Sequence, residues 1–361
     1  MNPTRRTQLV TGAVIAAGAI LVWLLAVIVV PVFEDRACVG VEFRAPADAQ
    51  PPPTKRDPPP IGGTGGLAGE LRGALRGGGP VVYCRDLADP YVLRVGDRYD
   101  AYSTNTEDFH VPVLSAGGLL SARGDRSEAL AQLPGWATPG KVWAPSVLAR
   151  PGGFVLYYVT TAQNPERQCI SRAVSPRPTG FVDDSTAPMI CPGHGGAIDP
   201  SPVVAPDGRA YLLWKNYGAI DGIVARELSA DGLSLVGDMQ VLLEADQGWE
   251  GGLVEGPSMT AAPDGRYYLF YSANDWAGPN YAVGYAVCDA PLGPCTKAPG
   301  PWLASTDKAQ GPGGQEVFTD EQGQFWLVLH AWVGGKVGYP HGARNLFVLQ
   351  LDFVNGVPVA T

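Results

Sequence analysis

A single unit recurs along this chain at a nearly fixed step, and that step limits the folds open to it. Val254-Glu255-Gly256-Pro257-Ser258 leads through the turn Pro263-Asp264-Gly265 into the aromatic run Tyr267-Tyr268-Leu269-Phe270-Tyr271. Asp199-Pro200-Ser201 does the same through Pro206-Asp207-Gly208 into Ala210-Tyr211-Leu212-Leu213-Trp214, and earlier copies begin at Asp89-Pro90 and Ala144-Pro145. The prolines fall at 90, 145, 200 and 257, and a degenerate copy puts Gln315 in the same place. Asp-Gly between alternating apolar runs marks a tight hairpin. Each copy therefore supplies two short strands, and the roughly thirty residues between copies have room for two more. A four-stranded unit that cannot bury both faces alone stacks with its neighbours around an axis. The chain is predicted to be all-β, with a five-bladed β-propeller over residues 81–361. The alternating stretch Arg344 to Phe353 is expected to complete the first blade's sheet, which would close the ring and remove an exposed edge.

Ahead of the repeats the composition changes. Residues 7–33 carry no charge and are largely aliphatic, long enough to span a bilayer. Arg5 and Arg6 precede this run and Glu34 and Asp35 follow it, so the positive-inside bias puts residues 1–8 in the cytoplasm, a transmembrane helix over 9–33, and the rest outside. A cleaved signal peptide is the rival reading, but the apolar run is about twice a usual signal core. Seven of the fifteen residues from Pro46 to Pro60 are proline and a glycine-rich stretch follows, so residues 34–80 read as a stalk and Pro/Gly-rich linker. The expected location is the cell membrane, single-pass, with the C-terminal domain extracytoplasmic.

The net charge of -9 and the absence of any Lys/Arg run exclude a nucleic-acid partner. Six cysteines suit export, with Cys288–Cys295 and Cys169–Cys191 as the economical disulfides, leaving Cys38 and Cys84 to strap the domain to its stalk or to pair between molecules. Zinc is disfavoured, because there is no Cys-x-x-Cys pair and the four histidines are dispersed.

In a propeller the inner strands of all blades start around the axis, so Asp89, Asp199 and Glu255, from three different repeats, face one cavity. Taken singly, an Asp before Pro is more often a turn-former. Jointly, crowded carboxyls shift one another's pKa values apart, which lets one act as acid and another as base.

These blade starts (Asp89-Pro90, Trp143-Ala144-Pro145, Ile198-Asp199-Pro200-Ser201, and Val254-Glu255-Gly256-Pro257 with Tyr267-Tyr268-Leu269-Phe270-Tyr271-Ser272 behind it) resemble glycoside hydrolase family 43 over residues 81–361. The resemblance implies inverting hydrolysis of arabinofuranosides or xylosides on an arabinan- or xylan-like substrate. Asp89 would be the base, Glu255 the acid and Asp199 the third carboxylate that tunes the acid. An inverting pair needs room for a water between its carboxyls, which opposite walls of a funnel provide. The resemblance also implies a substrate contact for Arg344 and, for His330, a place on the axial channel beside a hydrated calcium or sodium, although no cofactor is required. Read from the residues alone, His330 is more often a satisfied core histidine, and an exposed strand position explains Arg344 as well as a substrate contact does. Trp143 opens a blade after a loop and is the best candidate for a sugar-stacking platform, against plain packing for it, Trp276 and Trp332. Asp86 rivals Asp89 as base, Glu250 and Asp275 read as loop charges, and a silent propeller that binds envelope glycan or a protein is the competing class.

Overall fold

The computed structural model describes residues 81–118, 125–193 and 195–361. The cytoplasmic terminus, the anchor at 9–33, the linker at 34–80, Cys38 and His194 lie outside the described residues. Among the described residues no helix is long and apolar enough to cross a membrane.

The chain opens with β1 (Val81–Tyr83) and then builds antiparallel sheets in sequence order. The first blade holds β2 (Tyr91–Val95), β3 (Arg98–Tyr102), β4 (Pro112–Ala116) and β5 (Ser127–Glu128). The second holds β6 (Ala137–Arg150), β7 (Gly153–Gln163) and β8 (Glu166–Ser175). The third holds β9 (Gly196–Val204), β10 (Ala210–Tyr217), β11 (Gly222–Leu228) and β12 (Leu235–Glu244), and the fourth β13 (Val254–Ala261), β14 (Tyr267–Ala273), β15 (Ala282–Cys288) and β16 (Cys295–Lys297). The fifth combines β17 (Ala309–Thr319), β18 (Phe325–Val333) and β19 (Arg344–Val354) with β1 and β20 (Val357–Ala360), both of which pair with β19.

The hairpins form where the turn chemistry placed them. Asp207 and Asp264 each accept the backbone N–H two residues on, at 3.0 and 3.1 Å, and Gly208 and Gly265 take the left-handed conformation that follows.

Two expectations are corrected. The ring closes in the opposite sense, because β1 from the start of the domain pairs with β19 of the last blade at Val81 and Phe347. And the second blade has three regular strands, with its outer edge reduced to the bridges Ile170 to Ile190 and Val174 to Val182. The disulfide Cys169–Cys191 sits beside the first of these bridges and staples that irregular edge, while Cys288–Cys295 joins paired residues of β15 and β16.

Five apolar clusters fill the spaces between neighbouring blades, including Tyr268, Phe270, Trp302, Leu329 and Phe347 between the fourth and fifth, and Leu87, Val92, Leu114, Val328 and Val348 between the fifth and first. Each fully buried side chain of this kind contributes about 1.5–3 kcal/mol by leaving water. The ring is held by its interfaces, so a blade has no complete core of its own.

Candidate functional site

The residue ahead of each inner strand's proline position is left-handed in every blade: φ is 50° at Asp89, 41° at Ala144, 57° at Asp199, 55° at Gly256 and 57° at Gly314. Only two of these are glycine, so three non-glycine residues hold a conformation that costs of the order of 1–2 kcal/mol. In the four later blades the ladder slips at this point, between Trp143 and Ser146, Leu213 and Lys215, Glu255 and Ser258, and Gly313 and Glu316. A bulge beside a strand start re-aims the neighbouring side chain, here toward the axis.

The strain is held by bonds from blade to blade around the axis. Tyr91 Oη donates to the Val147 carbonyl at 2.8 Å, Ser146 Oγ to the Pro200 carbonyl at 2.6 Å, and Val317 N–H to Ser258 Oγ at 3.0 Å. Gly256 N–H donates to Asp199 Oδ2 at 2.9 Å, and Gln315 Nε2 to the Gly256 carbonyl at 2.6 Å. Thr104 Oγ1 donates to Asp89 Oδ2 at 2.5 Å and accepts Ala144 N–H at 3.0 Å.

Above this girdle opens a cavity of about 1100 Å³, and Asp89, Asp199 and Glu255 all line it. Burial opposes ionisation of Asp89, but the Arg344 guanidinium, whose Nη1 stands 3.2 Å from Oδ1, and the Thr104 hydroxyl hold its carboxyl below the usual range. Burial and the neighbouring Asp89 charge push Asp199 up, against the Gly256 N–H. Burial and Asp199 push Glu255 up, against the Tyr281 hydroxyl that donates to Oε1 at 2.8 Å. The site thus holds Asp89 toward its ionised form and the buried pair Asp199 and Glu255 toward retaining a proton, so carboxyls of opposite preference share one cavity, as acid–base chemistry needs.

Arg344 is buried, not an exposed strand residue. Its Nε donates to Tyr339 Oη at 3.1 Å, and the rings of Trp276 and Tyr339 lie 4.8 and 5.6 Å from its guanidinium carbon. Asp86 is occupied with this clamp, since its Oδ1 accepts Tyr339 Oη at 2.7 Å and Arg344 N–H at 2.8 Å. That leaves Asp89 as the base candidate. Trp143 is half-buried on the cavity wall, Trp276 is 39% exposed on the same wall, and Trp332 is fully buried packing.

His330 is fully buried, and its Nδ1 accepts Asp89 N–H at 3.0 Å. The ring proton therefore sits on Nε2, which is buried without a hydrogen-bond partner, and burial holds the ring neutral with a pKa lowered to about 3. A cation ligand must offer a lone pair, and this nitrogen offers a proton. Among the described residues no group of three or more His, Cys, Asp or Glu is placed to hold a metal. The residues do not fit a calcium bound directly by His330; the ring, stacked 6.2 Å from Tyr281, anchors the backbone of Asp89 instead.

Glu250, read as a loop charge, is fully buried at the end of a short 3-10 turn, Gly248–Glu250. It pairs with Lys297 Nζ at 2.6 Å and accepts Tyr271 Oη at 2.8 Å, so it braces the loop ahead of Glu255. Asp275 is exposed, as its loop position implies.

Sequence reasoning missed Tyr281, Lys215 and Glu316. Lys215 is 1% exposed, pairs with Asp221, and lies 4.7 Å over the ring of Tyr217, a cavity-wall residue. Its charge lowers the pKa of both Asp199 and Glu255. Glu316 occupies the place that Ser146, Ser201 and Ser258 hold in other repeats; burial raises it to about 8 against hydrogen bonds from Ser258 and Ser201. The serines at this repeat position were the available signal for an axial role.

The model of glycosyl hydrolases family 43 matches residues 79–358. An extracellular endo-alpha-(1->5)-L-arabinanase 1 of Bacillus subtilis is 24% identical over 297 residues, 75% of this chain and 87% of that protein. An extracellular endo-alpha-(1->5)-L-arabinanase of Thermotoga petrophila is 29% identical over 119 residues, 28% of this chain and only 23% of that protein. The crystal structure of a thermostable family-43 glycoside hydrolase superposes with a TM-score of 0.68 at 30% identity, covering 76% of this chain and 93% of that one.

Proposed function

Because the chain belongs to the glycosyl hydrolases of family 43, we propose that it is an exported, membrane-anchored hydrolase of arabinofuranosidic or xylosidic linkages, acting with inversion. The observation that carries this reading is the opposed charge preference of two carboxyls in one cavity, Asp89 held ionised and Glu255 held protonated. The Asp89 carboxylate takes a proton from water as that water bonds to the anomeric carbon. The bond from that carbon to the leaving oxygen breaks on the opposite face, and Glu255 gives the leaving oxygen its proton. Asp199 fixes the backbone beside the acid through Gly256 N–H and raises the acid's pKa by its own charge. Arg344 keeps the base ionised, and Trp143 offers a flat apolar face for a sugar ring.

Arabinan or a xylan-like chain is the substrate class this reading favours, in keeping with the arabinanase names of the Bacillus and Thermotoga relatives. The anchor rests on the uncharged run at 7–33. Recovery of the full chain in the soluble fraction, with no membrane-bound pool, would remove it from the proposal.

The decisive test sets Asp89→Asn and Glu255→Gln against the native protein on arabinan, nitrophenyl arabinofuranoside and nitrophenyl xyloside. Losses of about 10²–10⁴-fold are expected on arabinan for both. On a nitrophenyl glycoside, whose leaving group needs no proton, Glu255→Gln should retain far more of the rate than Asp89→Asn. Proton NMR of the first product should show the inverted anomer. Full activity of either variant on arabinan, or a retained anomer, sinks the assignment.

A further inference from the structure

Tyr339 is 46% exposed on the cavity wall, yet its hydroxyl is engaged as both donor and acceptor. Its Oη donates to Asp86 Oδ1 at 2.7 Å and accepts Arg344 Nε–H at 3.1 Å, while Arg344 Nη1 stands 3.2 Å from Asp89 Oδ1. Asp86 and Asp89 belong to one stretch ahead of β2, and that stretch is tied to the head of β19. Leu87 N–H donates to the Arg344 carbonyl at 2.9 Å, and Arg344 N–H to Asp86 Oδ1 at 2.8 Å. The side chains thus close a circuit, Asp86 to Tyr339 to Arg344 to Asp89, that returns to its start through the backbone. A guanidinium is planar, so bonds on Nε and Nη1 together fix its rotation. The Tyr339 bond therefore decides how squarely Arg344 meets Asp89. Tyr339 rides on the loop from Gly334 to Gly342, where four of nine residues are glycine, and among the described residues it supplies that loop's only side-chain hydrogen bonds. The titratable groups around Asp89 are Arg344 of β19, His330 of β18, Asp199 of β9, Glu255 of β13 and Tyr281 ahead of β15, with Asp86 behind the arginine. His330 is held neutral, which leaves Arg344 as the cation among them.

We propose that Tyr339 is a positioning residue for the base: it orients Arg344, and through Arg344 it sets the place and the charge of Asp89. The proposal deepens the glycosidase reading and rests on Asp89 as its base. Loosening the arginine takes positive charge away from Asp89, so the carboxyl holds its proton to higher pH and activity is lost from the acid side first. A hydroxyl already bonded to an arginine and a carboxylate is not the group that grips the sugar, so the loss belongs to kcat and not to KM.

The variant Tyr339→Phe keeps the ring against Trp276 and Trp332 and removes the hydroxyl alone. With the full-length protein on arabinan, kcat is expected to fall about tenfold or more while KM stays within about twofold of native. The acid limb of kcat/KM should move up by about half to one pH unit. Asp86→Asn, which keeps an acceptor for the hydroxyl, should retain more of kcat than Asp86→Ala and shift that limb less. An acid limb that stays put in Tyr339→Phe overturns the proposal even where the rate falls, because a hydroxyl that only braces the loop would give that result. A raised KM with kcat unchanged overturns it too, by making Tyr339 a direct substrate contact. If Asp89→Asn is inactive and Tyr339→Phe behaves as native, the proposal fails alone. If the native protein cleaves neither arabinan nor either nitrophenyl glycoside, the glycosidase reading fails and takes the proposal with it.

Discussion

The hydroxyl of Tyr281 donates to Oε1 of Glu255 at 2.8 Å, across 26 residues of sequence. This bond favours the charged form of Glu255 and works against the burial that raises its pKa. Tyr281→Phe removes the donor, so Glu255 should hold its proton to higher pH. The alkaline limb of kcat/KM is expected to move up by as much as about one pH unit, with a loss of roughly tenfold or less at the optimum. A pH–rate profile on arabinan checks it, and a limb that stays put or moves down refutes the role given to Tyr281.

Lys215 acts on the same pair from behind the cavity wall. Its buried ammonium lowers both Asp199 and Glu255, and its partner Asp221 has a side chain 58% exposed. Lys215→Met should therefore leave no buried charge unpaired and should raise both carboxyl pKa values, carrying the alkaline limb upward while the acid limb, which the proposed mechanism assigns to Asp89, moves little. Combining it with Glu255→Gln should abolish that shift, which separates electrostatic tuning from general damage to the fold.

Much of this arrangement could be read from the chain and some could not, for physical reasons. The prolines at 90, 145, 200 and 257 report a geometric repeat, and equivalent positions in a closed ring must converge, so Asp89, Asp199 and Glu255 were legible. Closure by β1 was not, because a three-residue strand carries no periodicity and its partner lies at the far end of the chain. Glu250 looked like a loop charge because its cation, Lys297, is 47 residues away on another strand. Lys215 drew no reading from the sequence, because its partner Asp221 sits beyond the turn at the end of β10 and nothing local marks the lysine as buried. The left-handed backbone shared by Asp89, Ala144, Asp199, Gly256 and Gly314 leaves a signal in only two glycines. Each miss involves a contact made across blades or turns, which local pattern does not encode.

Glu316 should report on stability more than on rate. Its pKa is raised by burial to about 8 from 4.5. A carboxyl whose folded pKa lies above its unfolded value leaves the fold unpenalised below the unfolded value; as pH rises through the folded value the folded state loses stability, because the unfolded chain releases the proton more readily. Glu316→Gln should thus raise Tm at pH 8.5, by an amount on the order of 1–3 kcal/mol in stability, and change it little at pH 5. Thermal unfolding at the two pH values checks it. A stabilisation that is the same at both would show that Glu316 does not titrate in this window.

Gly314 tests whether Asp89, the proposed base, is held as tightly as the girdle implies. At φ 57° a Cβ built on this residue would stand 2.6 Å from both Cε1 and Nδ1 of His330 and 2.8 Å from Oδ1 of Asp89. Neither neighbour can yield freely, because His330 Nδ1 holds the backbone of Asp89 and Arg344 holds its carboxyl. Gly314→Ala must therefore displace the base or the strand that carries it, in addition to the left-handed strain of about 1–2 kcal/mol. A shift of about 1 Å in a catalytic group costs on the order of 10²-fold in rate, so kcat should fall far more than the drop in Tm alone would suggest. Ala144 supplies the control at the equivalent position of the second blade, where φ is 41° and the residue carries no chemistry. Ala144→Gly relieves the strain there, and is expected to keep full activity with a stability change within about 1 kcal/mol. Loss of activity in Ala144→Gly, or full activity in Gly314→Ala, would mean that the base is not set by the backbone geometry at the head of its neighbouring blade.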